Sequence, residues 1–213
     1  TIEAGVNIYD PYQKKFAHYR FTNQDRKLSN SNFIRAVHVD SQNRIWAGTH
    51  ANGLLLLDRK KNRTQKLGFD TESVFYISKY KEDKKFICCG SGLYLVQLTD
   101  NQLRILSYYR DNAIFYIGKS RPNVFWAASI NGLIRIKVDN NTIIKEKLYN
   151  NNTRPAISQN NCRALYNDNN TLYLGTEGGG LNVISLDSGH YPESIKVYKK
   201  SSDVNSLSDN YIR

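Results

Sequence analysis

The run Asn32-Phe-Ile-Arg-Ala-Val-His-Val-Asp40-Ser-Gln-Asn-Arg-Ile-Trp46-Ala-Gly-Thr-His-Ala-Asn-Gly53-Leu-Leu-Leu-Leu-Asp58 decides the fold. It contains three strand-like segments, Ile34–Val39, Arg44–Gly48 and Leu54–Leu57, separated by the polar turns Asp40–Asn43 and Thr49–Gly53. Branched and aromatic residues bounded by Asp, Asn and Gly clusters read as antiparallel strands joined by tight turns. A fourth segment, Thr64–Leu67, closes the unit.

Degenerate copies lie on both sides. Thr1–Asp10 repeats the Thr49–Asp58 pattern, with Phe16–Phe21 as the next strand and Thr22–Asn32 as a polar connection. Downstream, one copy runs Val74–Ile77, Lys85–Cys89, Gly92–Val96 and Leu103–Leu106. The next runs Ile114–Ile117, Val124–Ala128, Gly132–Ile136 and Ile143–Leu148. An Asn-rich segment, Asn150–Asn161, has the composition of a surface loop. After it come Cys162–Leu165, Thr171–Gly175, Gly180–Ile184 and Ile195–Tyr198, then a partial copy from Leu207 to Arg213.

The turn glycines Gly5, Gly53, Gly92, Gly132 and Gly180 are spaced by 48, 39, 40 and 48 residues. A period of about 40–50 residues with four short strands predicts a β-propeller. One four-stranded sheet cannot bury both faces, so neighbouring blades must pack against it. No helical stripe or capped helix start stands out. The expected fold is therefore all-β, a partial or small β-propeller of about four full four-stranded blades plus two part-blades. It forms one domain or excerpt over 1–213, with repeats at 1–21 (partial), 32–67, 73–106, 112–148, 161–198 and 207–213 (partial).

Substitutions within the frame are physically coherent. Ile87, Trp126 and Tyr173 fill the Trp46 position, as large apolar residues packed between sheets. Cys89, Ala128 and Gly175 fill the Gly48 position, where a small residue suggests close approach of a neighbouring strand. Thr49 is echoed by Thr1, Ser129 and Thr176.

At 213 residues the chain can bury a sizeable core. It has no run of about 18 apolar residues and no charged-then-apolar leader. The net charge of +11 is compatible with an anionic partner. Its lysines and arginines, including Lys79–Lys85, are nevertheless scattered, as expected of solvent-facing strand and loop positions. No nucleic-acid module is present, so direct nucleic-acid binding is not expected. Cys88, Cys89 and Cys162 form neither a disulfide framework nor a metal-ligand spacing, and read mainly as small buried apolar residues. No metal or other cofactor is expected.

The pattern Ile34-Arg-x-Val-x-x-Asp40, then Ile45-Trp-x-Gly-Thr49, then Gly53-Leu and a closing Asp58 resembles the two-component regulator propeller repeat. The resemblance is strong also at Cys162–Ile184 followed by Asp187. It is weaker in the two middle copies, which lack the Gly-Thr pair. Such repeats build the periplasmic sensor region of hybrid two-component systems in gut Bacteroidetes. The resemblance implies a periplasmic, non-catalytic sensor propeller of an inner-membrane histidine kinase. Its ligand would be an oligosaccharide, possibly acidic, controlling transcription of genes for its use. No kinase His box is seen, and His18, His38, His50 and His190 lie within the repeats. The chain is shorter than a propeller of about seven blades and reads as an excerpt.

Two residue sets are candidates for binding. The position after the first apolar residue of each first strand holds Arg35, Phe75, Phe115, Arg163 and Arg213. Around a channel, arginines would pair with carboxylates or sulfates, and aromatics would stack on sugar faces. The competing expectation is that these arginines bond neighbouring carbonyls and the phenylalanines are core. The second set is His50, Asn52, Asn131 and Glu177, in the loops between second and third strands, where ordinary turn roles compete with recognition. No catalytic residue is assigned. A polysaccharide lyase or glycosidase would need converging carboxylates, but Asp10, Asp40, Asp58, Asp168 and Asp187 fall at turn positions of the motif. A protein-interaction propeller of the WD type lacks its Gly-His and Trp-Asp signatures here. Open sheet edges suggest that Tyr211–Arg213 pairs with Gly5–Asp10, or that the chain meets a second copy or further blades.

Overall fold

The computed structural model of the chain describes residues 6–10, 15–19, 33–61 and 63–213, with the backbone alone for 7–10 and 15–18. The expectations placed on Thr1, Gly5 and Thr22–Asn32 lie outside these residues. Two compact units are distinguished, Thr1–Gly90 with Val96–Ile105, and Ser91–Leu95 with Leu106–Arg213.

The first unit begins with an antiparallel pair, β1 (Val6–Asp10) and β2 (Lys15–Tyr19). A four-stranded meander follows: β3 (Ile34–Val39), β4 (Ile45–Thr49), β5 (Leu54–Asp58) and β6 (Arg63–Gly68). Alternate residues of β4 face opposite ways. Ile45 and Ala47 join Leu55, Leu57 and Val6 in one apolar cluster. On the other face, a Cβ added at Gly48 would stand 2.5 Å from a Val74 methyl, which explains the small residue there. The next sheet has the order β10-β9-β8-β7, with β7 at Val74–Lys81, β8 at Lys84–Cys89, β9 at Gly92–Thr99 and β10 at Gln102–Arg110.

The second unit holds two more meanders. One is β11 (Ile114–Arg121), β12 (Val124–Ser129), β13 (Gly132–Asp139) and β14 (Thr142–Tyr149). The other is β15 (Cys162–Asp168), β16 (Thr171–Thr176), β17 (Gly180–Leu186) and β18 (Pro192–Tyr198). Trp126, Ala128, Leu133, Tyr149, Leu165, Leu172 and Leu174 pack into one cluster between these two sheets. All four full sheets are blades of the expected kind.

The recurrent turn glycine has a steric cause. Gly53, Gly92, Gly132 and Gly180 all have positive φ, and an added Cβ would lie 2.1–2.2 Å from the carbonyl oxygen of a facing strand. Thr49, Ser129 and Thr176 close the same turns from inside. Each hydroxyl donates to the carbonyl of its turn glycine, at 2.9, 3.0 and 2.8 Å.

Four sequence expectations need correction. In the second sheet, Ser78 pairs with Phe86 and Tyr76 with Cys88, whereas in the first His38 pairs with Trp46 and Ala36 with Gly48. Phe86 and Cys88, not Ile87 and Cys89, are therefore the equivalents of Trp46 and Gly48. A one-residue slip exchanges the two faces of a strand. Tyr173, the equivalent in β16, is 36% exposed, and on that side of the sheet Ile212 lies against Gly175. The Asn-rich segment is partly core: Ile157 is buried, and the Asn182 side chain accepts from the Ser158 N–H at 2.8 Å and donates to its hydroxyl at 2.8 Å. Lys85 and Arg135 are buried rather than solvent-facing. Among the described residues β1 pairs with β2, and Tyr211 forms an antiparallel bridge with Glu177.

Candidate functional site

In all four full sheets the second residue of the first strand sits in a break of register. The breaks lie between Ile34 and Ala36, Val74 and Tyr76, Ile114 and Tyr116, and Cys162 and Ala164. The position skipped in the register holds Arg35, Phe75, Phe115 and Arg163 in turn. A β-bulge re-aims the side chain it carries and recurs next to functional sites. Four of the five residues of the first candidate set, all but Arg213, are thus bulge residues.

In the first unit the Arg35 guanidinium lies over Phe75 at 5.2 Å and Phe33 at 5.8 Å. The His50 ring is 5.1 Å from that of Phe33, and the Ser73 hydroxyl donates to the His50 carbonyl. One candidate from the loop set, His50, thereby joins the arginine cluster.

In the second unit the Arg163 guanidinium lies 3.9 Å above the Phe115 ring. Its Nε donates to Glu177 Oε2 at 2.5 Å, and Asn161 Nδ2 donates to the same oxygen at 2.9 Å. Arg213 Nη2 reaches Oε1 at 2.8 Å. Arg213 arrives there because the Ile212 N–H donates to the Thr176 carbonyl at 3.0 Å. Ile212 then contacts Gly175 as Val74 contacts Gly48, which gives Arg213 the position relative to β16 that Phe75 has relative to β4. The hydrogen bonds from Arg213, then those from Arg163, hold the Glu177 carboxyl below its usual range despite some desolvation. Phe115, Arg163, Glu177 and Arg213 therefore come together from both candidate sets.

The roles differ from the simplest expectation. One face of Phe75 and one of Phe115 carry a guanidinium rather than being left for a sugar, a cation–π contact that holds the arginine in place. Asn52 and Asn131 are turn residues: their backbone N–H groups donate to Thr49 Oγ1 at 2.9 Å and Ser129 Oγ at 3.1 Å. Asn131 Nδ2 also donates to Asp111 Oδ1 at 2.8 Å. The repeat-end acids hold turns as well, Asp58 through Lys60 and Lys61 N–H, and Asp187 through Tyr191 N–H. All three cysteines are buried free thiols, and burial pushes each of them up. Among the described residues no group of three His, Cys, Asp or Glu side chains could hold a metal ion.

Sequence reasoning missed Lys85. Its ammonium lies 4.6 Å from the centre of the Trp46 ring, and it lines a cavity with Asp40 and Arg44. Anchoring the second copy on Phe86 would have placed this lysine at a core position and exposed the anomaly.

The two-component regulator propeller family matches residues 28–51. The extracellular domain of what is described as the hybrid two component system BT3049 from B. thetaiotaomicron superposes with a TM-score of 0.72, at 16% identity. The superposition covers 99% of this chain and 28% of that one. For the corresponding domain of BT4673 from B. thetaiotaomicron the TM-score is 0.59, at 20% identity, with coverage of 99% and 33%. The β-propeller domain of Cps50 (Swd1) from Myceliophteria thermophila is also similar, with a TM-score of 0.57, 14% identity and coverage of 77% and 55%. No curated protein sequence matches the chain. This chain thus spans about a third or less of the two extracellular domains, and at these identities the likeness is one of fold. Residues 28–51 match the two-component regulator propeller repeat, and the described four-stranded sheets are folded as β-propeller blades.

Proposed function

We propose that this chain is part of the ligand-sensing propeller of a hybrid two-component system, facing the periplasm, and that it binds an oligosaccharide carrying carboxylate or sulfate groups to control transcription. The family repeat and the two extracellular domains of similar fold support the sensor reading. No helix among the described residues is long and apolar enough to cross a membrane.

The observation that carries the ligand class is the pair of guanidiniums at Glu177. Arg163 and Arg213 share one carboxylate, so the cluster keeps a net positive charge. The Arg213 side chain is 70% exposed, and a planar guanidinium fork suits bidentate pairing with an oxyanion. The carboxylate itself is tied up in ion pairs, which favours binding over acid–base chemistry.

The test is calorimetric titration with size-defined polygalacturonate and heparin fragments, against neutral galactan fragments of equal length. Acidic fragments should bind, and Arg163→Ala should weaken them about tenfold, the loss of one charge-assisted hydrogen bond. Equal affinity for neutral fragments, or no change in Arg163→Ala, would remove this site from the proposal. Turnover of the acidic fragments by the purified chain would replace binding with catalysis.

A further inference from the structure

Lys85 breaks a rule that the other three sheets keep. Cross-strand register places it opposite Lys79, where Ile45 stands opposite Val39, Phe125 opposite Lys119 and Leu172 opposite Asn167. All four side chains are buried, Lys85 at 3% exposure. A fold that needs a hydrophobe at this position therefore carries an ammonium there, beside a like charge on the neighbouring strand. Departures from an otherwise consistent pattern concentrate at functional sites.

Among the described residues no acceptor takes the hydrogens of the ammonium; it lies over the Trp46 ring, and the charges of Asp40 and Glu82 act on it. It opens into a cavity of about 100 Å³ in the first unit, lined also by Asp40, Arg44, Glu82, Asp83 and Leu98. That is room for several waters or one group of sulfate or carboxylate size.

The carboxylates lining the cavity already have donors. Asp40 Oδ1 accepts the Gln42 and Arg44 N–H groups, at 3.0 and 2.9 Å. Its Oδ2 accepts Arg44 Nε at 2.8 Å and Trp46 Nε1 at 2.9 Å. Lys79 Nζ donates to Glu82 at 2.6 Å, and Gln97 Nε2 donates to Asp83. What the cavity offers a ligand is therefore the donor capacity of the Lys85 ammonium, whose charge is balanced in the lining by that of Asp83, since Gln97 is neutral.

We propose that this cavity is an oxyanion site, in which the Lys85 ammonium, backed by Trp46 and flanked by Arg44, holds the carboxylate or sulfate group of a small anion or of an acidic sugar. It is independent of the arginine cluster at Glu177 and stands or falls by itself.

Lys85→Ile restores the residue type of the other sheets, so the variant keeps the fold. Thermal unfolding is followed for the parent chain and this variant in sodium sulfate, sodium acetate, sodium galacturonate and galactose, at constant ionic strength with chloride. General salting effects act on both proteins alike, so the difference between them reports the site. Without an anion, Lys85→Ile should melt higher than the parent. At ten times the dissociation constant, the anion should raise the parent's melting temperature by about 3 °C more than that of the variant. Saturable shifts of the Lys85 Cε–H resonance should follow the same concentrations. An effect of galacturonate without one of acetate or sulfate assigns the source as a sugar acid, and effects of all three assign a free oxyanion. Equal melting shifts in both proteins, or a Lys85 resonance that moves no more with sulfate than with chloride, would overturn the site. Galacturonate binding lost in Arg163→Ala but kept in Lys85→Ile would also overturn it, while leaving the arginine cluster in place.

Discussion

Trp46 and Trp126 occupy the same position in two sheets, one in each compact unit, and their surroundings differ in every polar respect. Both are fully buried. The Trp46 N–H donates to Asp40, its ring is capped by Lys85, and its cross-strand neighbour is Leu56. The Trp126 N–H has no partner among the described residues, and its ring shares an apolar cluster with Leu172. Its cross-strand neighbour is Arg135, itself held by Glu146 and by Tyr191, whose ring lies 4.1 Å from the guanidinium. Packing between blades thus demands volume at this position and leaves the chemistry around it open to change. The first unit has used that latitude to bury a charge with an acid behind it.

If volume is what matters, Trp46→Ala and Trp126→Ala should each lose about 3–5 kcal/mol in denaturant unfolding, the usual cost of emptying an aromatic position in a core. A loss at one position of less than about 1 kcal/mol would show that the two are not equivalent. Moving the charge should come next. Leu172→Lys places an ammonium against Trp126 without a counterpart of Asp40, and should cost about 3 kcal/mol. Smaller still is the removal of the indole N–H. Trp46→Phe breaks a hydrogen bond to a buried carboxylate and should cost about 2 kcal/mol, whereas Trp126→Phe deletes a donor that has no acceptor and should cost under about 1 kcal/mol. The difference between the two, read in one denaturation series, tests the comparison directly; equal costs would break it.

The strands of these sheets were legible because each copy alternates apolar and polar residues between Asn, Asp and Gly turns. Ile34–Val39 is a strand over the expected span, and every other expected segment among the described residues falls within or beside one. Register in the second copy was not legible. Phe86-Ile87 and Cys88-Cys89 are two pairs of similar residues, so the pattern slides by one position without penalty until backbone hydrogen bonds are known. That slip concealed Lys85. The bulges at Arg35, Phe75, Phe115 and Arg163 were visible as a column of residues but not as breaks in pairing. The meeting of Arg163 with Arg213 at Glu177 depends on where Tyr211 pairs, a contact between distant segments that periodicity does not encode.

The smallest expected effect is on proton binding. Burial pulls Lys85 below its ordinary value of 10.5, and Arg44 and Lys79 add to that, while Asp40 and Glu82 oppose it. Between its folded value and 10.5 the unfolded chain holds the extra proton, so stability gains with rising pH across that window and levels off above it. The advantage of Lys85→Ile over the parent should accordingly shrink as the pH is raised towards 10.5. His38 reports the same charge from the other side. Burial, then the charge of Lys85, lowers it from 6.5, with Asp40 opposing and Lys79 adding to the shift. Lys85→Ile should therefore raise the His38 titration midpoint, measured from its ring proton resonances, while the equivalent change in the second unit has no lysine to remove. An unchanged midpoint would mean that the Lys85 charge is already neutralised where it sits, and the two tryptophan environments would then differ in hydrogen bonding alone.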